Sequence, residues 1–137
     1  RDLRDEGKIR HVGLSEVSVP ELRRARGLIE VATVQNRCSV ADRGADDVVA
    51  ECERAGIGLL PWFPLALGRL AEVGGPLARV AARRGATPAQ VALAWLLHRS
   101  PVVLPIPGTG SVAHLRENVA AAGLALDDAD VAELEAG

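Results

Sequence analysis

The chain has 137 residues, 48% of them hydrophobic and 25% charged, with a net charge of −2 at pH 7. That is enough for one core of ordinary globular composition. It argues against nucleic-acid binding, which needs a basic stripe and stacking aromatics, because only Trp62, Trp95 and Phe63 are aromatic.

In chain order, residues 1–8 read as the end of a charged helix stopped by Gly7. Ile9 to Leu14 reads as a first strand, ending in the polar pair Ser15-Glu16. Ser18-Val19-Pro20-Glu21 has the form of a capping box with proline at the first helical position. The helix it opens is expected to bury Leu22, Ala25, Leu28 and Ile29. Val31 to Val34 is a second strand, ending in Gln35-Asn36-Arg37. A turn through Asp42-Arg43-Gly44 leads to a second helix with Ala45, Val48, Val49 and Cys52 inward and Gly56 at its end. Ile57 to Leu60 is a third strand, running out into Pro61-Trp62-Phe63-Pro64-Leu65. Ala66 to Gly75 reads as a loop, and Pro76 to Arg84 as a short helix ending at Gly85. Thr87-Pro88-Ala89-Gln90 is a second capping box, and the run Val91 to Leu97 behind it is apolar enough to be buried on most sides.

Pro101 to Ala121 follows. Val102 to Ile106 is short and β-branched enough for a strand buried on both faces. Gly108-Thr109-Gly110-Ser111 is a flexible turn, and Ser111 caps a helix whose expected inner face is Leu115, Val119 and Ala122, closed by Gly123. A glycine-rich turn from a strand into a helix N-terminus offers free N–H groups to an anion, although many such turns bind nothing. A last helix starts at Asp127. Strand–helix alternation with about one helix per crossover implies right-handed βαβ units and a parallel sheet. In such sheets ligands bind at the C-terminal strand ends. Ser15-Glu16, Gln35-Asn36, Trp62-Phe63 and Thr109-Gly110-Ser111 lie there, though loops are polar in any case.

Cys38 and Cys52 have neither a C-x-x-C arrangement nor metal-ligand spacing, so a buried thiol at Cys52 and a cytoplasmic address are expected. No apolar run approaches the ~20 residues of a membrane span, and Arg1 to Glu6 do not resemble a signal peptide. Methionine and tyrosine are absent, and Lys8 is the only lysine. The chain therefore lacks its own initiator, through processing or because it is a piece of something longer, and chemistry needing a tyrosine must come from elsewhere.

G-K-I-R-H-V-G-L-S (7–15), V-Q-N-R (34–37), G-I-G-L-L-P-W-F-P-L (56–65), T-P-A-Q-V-A-L-A-W-L-L (87–97) and I-P-G-T-G-S-V-A-H-L-R-E-N (106–118) resemble, in order and spacing, successive blocks of the aldo/keto reductases. The resemblance covers essentially the whole chain. It implies a (β/α)8 barrel that reduces carbonyl compounds with a nicotinamide cofactor. The chain would be its C-terminal half, strands five to eight: an α/β fold, the parallel half of a TIM barrel with four strands and about six helices, residues 1–137 forming one partial domain. The family's catalytic Asp, Tyr, Lys and His would lie in the other half, so no catalytic residue and no metal ligand is expected here. His11 and His98 are read as a strand and a helix-end residue.

What carries over by resemblance is the cofactor site. Ser15 and Gln35 match the partners of the nicotinamide carboxamide, with Glu16 standing where many members have Asn. Trp62 matches the aromatic that stacks on the nicotinamide ring, an alternative being barrel-mouth packing. Phe63 replaces a common Ser, and Leu65 fits the pyrophosphate-loop leucine. Gly108 and His114 stand where many members have a Lys and an Arg that clamp the 2′-phosphate. Thr109 keeps its hydroxyl and, with Ser111, would face the adenosine-side phosphate, while Glu117 and Asn118 match contacts to the adenosine end. The implied cofactor is NADP(H), with NAD(H) possible because the two cations are missing. A carbonyl substrate is implied for the complete enzyme. The open sheet edges would be covered by the missing half or by self-association. A non-catalytic truncated relative and a stand-alone flavodoxin-like phosphate-binding domain are the alternatives.

Overall fold

A computed structural model describes residues 2–65 and 74–136. Its centre is a parallel sheet of three short strands, β1 (Gly13–Ser15), β2 (Thr33–Gln35) and β3 (Gly58–Leu59), in that spatial order. Gly13 pairs with Thr33, Leu14 with Val34 and Ser15 with Gln35. Thr33 then pairs with Gly58, and Val34 with Leu59. The predicted strands are longer. Regular pairing in the first begins only at Gly13, where the chains run close: a Cβ on that glycine would sit 2.5 Å from Thr33 Oγ1. Ile9 and His11, predicted within this strand, are exposed ahead of it.

The predicted fourth strand survives as one parallel bridge, Leu59 to Val103. Leu59 N–H donates to Val102 O (2.8 Å), and Leu104 N–H donates to Leu59 O (2.8 Å). The segment is not buried on both faces as its composition suggests. Val103 is buried, but Leu104 is 62% exposed and Ile106 is exposed as well. A strand is covered on both faces only when layers pack on both sides and a further strand lies along its edge. Among the described residues, nothing covers Leu104.

Seven α-helices surround the sheet among the described residues, against the roughly six expected. They are α1 (Asp2–Asp5), α2 (Val19–Arg26), α3 (Asp46–Ala55), α4 (Pro76–Arg84), α5 (Pro88–Arg99), α6 (Val112–Ala120) and α7 (Asp128–Glu135), with a 3-10 turn at Ala121–Gly123. Their ends follow the local signals. Gly56 and Gly85 take left-handed backbone just past α3 and α4, the conformation that glycine enters at no steric cost. At α5, Thr87 Oγ1 accepts the Gln90 N–H (3.2 Å) and Gln90 Oε1 accepts the Thr87 N–H (2.9 Å). At α2, Glu21 Oε2 accepts both the Ser18 N–H (2.8 Å) and the Ser18 hydroxyl (2.6 Å). Of the predicted loop 66–75, residues 66–73 lie outside the described residues.

The core gathers Leu22, Val34, Cys52, Leu59, Val80 and the α5 residues Val91 to Leu96, which are buried as expected, whereas Leu97, predicted with them, lies on the helix's outer face and is 37% exposed. Trp95 is fully buried, and burial pushes the Cys38 and Cys52 thiols up to about 11. Two helix faces differ from their predicted orientation. Leu28 is 74% exposed because α2 ends at Arg26 and leaves it beyond the last turn. Leu115 (53%), Val119 (67%) and Ala122 are exposed rather than inward. Helical spacing identifies an apolar stripe but not what it faces. α6 lies against α5 through the Gln90 Nε2 bond to Glu117 O (3.2 Å), and its stripe of Val112, Leu115 and Val119 is exposed rather than packed on this core.

Two buried carboxylates tie the outer helices together. Glu51, 3% exposed on α3, accepts from Arg23 on α2 (2.7 and 3.2 Å), from Arg26 (3.4 Å) and from Arg54. Asp130, buried on α7, accepts from Arg83 (2.7 Å) and Arg84 on α4. Hydrogen bonding to Arg23 above all holds the Glu51 carboxyl down to about 2. Burial alone would raise the Asp130 carboxyl, but Arg83 and Arg84 outweigh it and hold it below its ordinary value. An unfolded glutamate takes up its proton near pH 4.3. The stabilisation from Glu51 is therefore complete above that pH and is lost as pH falls toward about 2. Glu51→Gln should lower the melting temperature at pH 7 and flatten its decline between pH 5 and about 2 relative to the parent. Parallel acid limbs in thermal melts of the two proteins would contradict this assignment.

Candidate functional site

Because β1, β2 and β3 run parallel, their C-terminal ends reach the same edge of the sheet. Ser15 and Glu16, Gln35 to Arg37, and Trp62 with Phe63 therefore meet there. Two of these residues have left-handed backbone, Glu16 (φ 53°) and Phe63 (φ 60°), the only described non-glycine residues that do. That conformation is uncommon for residues with a Cβ, and here it turns the chain sharply out of two strands.

The turns are held by cross-links between strand ends. Glu16 N–H donates to Gln35 O (3.0 Å), and Trp62 N–H donates to Asn36 O (3.1 Å). Asn36 is buried, and its side chain makes both bonds available to the Val17 backbone: Oδ1 accepts the N–H (3.1 Å) and Nδ2 donates to the carbonyl (2.8 Å). Glu16 Oε1 accepts the Arg37 N–H (2.8 Å) and the Trp62 indole N–H (2.5 Å). The Trp62 and Phe63 rings meet edge-on at 5.9 Å and 63°. The Arg37 guanidinium lies 4.9 Å from the Phe63 ring centre and 5.7 Å from that of Trp62, with its Nε 2.9 Å from Asp42 Oδ2.

A second group forms where α5 and α6 begin. Leu65, Thr87, Pro88, Ala89, Gly108, Thr109, His114, Glu117 and Asn118 line a crevice of about 330 Å³. Thr109 Oγ1 accepts the Ser111 N–H (3.1 Å), and Ser111 Oγ accepts the His114 N–H (3.4 Å) and so caps α6. Each hydroxyl thus uses a lone pair locally, and among the described residues neither donates its hydrogen. A Cβ on Gly108 would meet nothing within 4 Å, so the crevice floor there has room for a ligand.

The structure thus brings the sequence-predicted residues together in two sets. Ser15, Gln35, Trp62 and Phe63 gather at the strand ends. Leu65, Gly108, Thr109, His114, Glu117 and Asn118 share the crevice, with Ser111 at its helix cap. The run from Trp62 to Leu65 joins the two sets. Two features were given no site role in the sequence. Thr87 to Ala89 reads there only as a helix start, yet it lines the crevice. Asn36 and Arg37 carry no local signal beyond lying at a strand end, and their partners Val17, Glu16 and Asp42 become neighbours only on folding.

No described helix is long and apolar enough to cross a membrane. The model of the aldo/keto reductase family matches residues 1–136. The chain is 46% identical over 133 residues to an uncharacterized oxidoreductase of Schizosaccharomyces pombe, covering 97% of this chain and 44% of that protein. It is 44% identical over 134 residues to pyridoxine 4-dehydrogenase of Escherichia coli, covering 98% of this chain and 46% of that protein. Among solved structures, the fold is similar to a thermostable aldo-keto reductase bound to the inhibitor epalrestat (TM-score 0.90, 29% identity, 98% of this chain and 51% of that one). It is also similar to an aldo/keto reductase of Klebsiella pneumoniae bound to NADP and acetate (TM-score 0.88, 30% identity, 98% of this chain and 50% of that one). The chain spans about half the length of the relatives it matches. With that match over nearly every residue, the chain belongs to the aldo/keto reductase family.

Proposed function

We propose that residues 1–137 are one partial domain, the C-terminal half of a (β/α)8 barrel. It supplies the cofactor-binding half of an NAD(P)H-dependent reductase that converts aldehydes or ketones to alcohols in the cytoplasm. The observation that carries this reading is the crevice, because six residues matched to the family's cofactor contacts line one cavity. Its residues fit a dinucleotide. Two helix N-termini approach it, and anions are stabilised at such ends. Gly108 leaves room, and the Thr109 and Ser111 hydroxyls are free to donate to a phosphate. When bound, the nicotinamide supplies the hydride.

The chain's own residues bind and orient. Ser15 and Gln35, at the ends of paired strands β1 and β2, hold the carboxamide of the ring, and Trp62 stacks on its face. Phe63 brings no hydroxyl donor to this end, and Leu65 packs where the two sets of residues join. Glu117 and Asn118 take the adenosine end. A general acid for the carbonyl oxygen lies outside this chain, which contains no tyrosine. A relative that is a pyridoxine 4-dehydrogenase supports alcohol–carbonyl interconversion as the reaction class. The lack of tyrosine also favours a second reading, a nucleotide-binding relative without chemistry.

NADPH should quench the fluorescence of the half-buried Trp62 in the wild-type chain, and Trp62→Phe should abolish that change, because Trp95 is fully buried. The isolated chain should not turn over a reactive aldehyde. Turnover by the chain alone would refute the placement of the acid elsewhere, and absence of binding would refute the cofactor site. The second reading predicts no turnover even after the rest of a family barrel is added in trans.

The missing 2′-phosphate cations give a separate prediction. Gly108→Lys together with His114→Arg should tighten NADPH binding about tenfold, as charge-assisted bonds to a phosphate do, and leave NADH unchanged. Equal effects on both nucleotides, in fluorescence titrations, would place the 2′-phosphate elsewhere.

Leu104, Val112, Leu115 and Val119 contribute apolar, exposed surface. We expect the chain on its own to self-associate through it. A monodisperse monomer in sedimentation velocity, unaffected by Leu115→Glu with Val119→Glu, would contradict this.

A further inference from the structure

We infer that Glu16 is a positioning residue that fixes the plane of Trp62, and through it the seat of the nicotinamide ring; the second clause rests on the cofactor reading above. One carboxylate oxygen, Oε1, accepts both the Arg37 backbone N–H (2.8 Å) and the Trp62 indole N–H (2.5 Å). Glu16 follows β1, Arg37 follows β2 and Trp62 follows β3, so a single atom joins the ends of three strands.

The other contacts of the indole cannot do this work. The edge-on contact with Phe63 at 5.9 Å and the Arg37 guanidinium 5.7 Å from the ring centre are tolerant of rotation. A hydrogen bond to a charged acceptor is short and directional. The indole has only one such donor, and Glu16 takes it.

The backbone of Glu16 points the same way. Its φ of 53° lies in the left-handed region, which glycine, asparagine and aspartate enter far more readily than glutamate. A glutamate there has the reach for the indole that a shorter side chain lacks. Its own N–H is fixed to Gln35 O (3.0 Å), so the side chain starts from a defined point. The second oxygen, Oε2, makes no hydrogen bond among the described residues.

The test uses the intact chain and three variants. Glu16→Ala removes the acceptor. Glu16→Asn keeps a residue suited to the left-handed turn but is one methylene shorter, so loss of folding does not confuse its result. Glu16→Gln keeps the reach and an acceptor oxygen. The two indole N–H resonances are separated with Trp62→Phe. In Glu16→Ala and Glu16→Asn the Trp62 resonance should move upfield and exchange faster with water, the Trp95 resonance should stay, and Glu16→Gln should restore most of the original behaviour. The dissociation constant for NADPH should rise about fivefold in Glu16→Ala and stay within about twofold in Glu16→Gln. A Trp62 resonance unmoved in both Glu16→Ala and Glu16→Asn overturns the inference, as does NADPH affinity unchanged in Glu16→Ala when the wild-type chain binds. Failure of the wild-type chain to bind NADPH overturns the cofactor reading instead, and with it the role of Glu16 toward the ring. The resonance shift then still decides whether Glu16 holds Trp62.

Discussion

The parallel register of three short strands is the constraint on which the rest depends. Pairing Gly13 with Thr33 and Thr33 with Gly58 brings all three C-terminal ends to one edge. Backbone groups that leave a ladder there lose their regular partners and must find others, because buried N–H and C=O groups left without bonds are costly. The structure answers with bonds between the strand ends themselves. Gln35 O takes the Glu16 N–H, Asn36 O takes the Trp62 N–H, and the Asn36 side chain satisfies both groups of Val17. The left-handed turns at Glu16 and Phe63 belong to the same solution. Strained backbone persists where its surroundings over-determine it, and it gathers at functional sites.

Outside the sheet, the arginine-rich composition has a structural use. Glu51 and Asp130 are buried acids, and each is surrounded by guanidinium groups from more than one turn or helix. A planar guanidinium can bond a carboxylate with two parallel N–H groups, as Arg23 does with Glu51. These pairs fasten α2 to α3 and α4 to α7. Leu104, Val112, Leu115 and Val119 are exposed, in a chain that spans about half the length of its relatives.

The two sets of candidate residues differ in how they are built. The strand-end set is rigid, cross-linked and aromatic, suited to holding a flat ring. The crevice set is made of helix starts, hydroxyls and a glycine without near neighbours, suited to an anion. Leu65 joins them at the end of the Trp62 to Leu65 run. One extended ligand with a planar end and a phosphate-bearing end would meet both.

Much of this was legible in the residues alone. The order of strands and helices, the helix ends at Gly56, Gly85, Thr87 and Asp127, the burial of Val91 to Leu96 and the family blocks all rest on local signals: periodicity, caps and turn residues that act within a few positions. Motif order also singled out six of the crevice residues, Leu65, Gly108, Thr109, His114, Glu117 and Asn118, but not Thr87 to Ala89. What only the tertiary structure decided is the direction of faces and the identity of partners. Leu115 and Val119 form a sound apolar stripe, but a stripe does not state which side of a helix the core occupies. Val102 to Ile106 has the composition of a doubly covered strand, yet coverage depends on layers the segment itself does not specify. Asn36 and Glu16 are polar residues at strand ends until folding sets Asn36 beside Val17 and Glu16 beside Trp62, separated by 19 and 46 positions. Hydrogen bonds at such distances along the chain are set by the register of the sheet, which no local pattern contains.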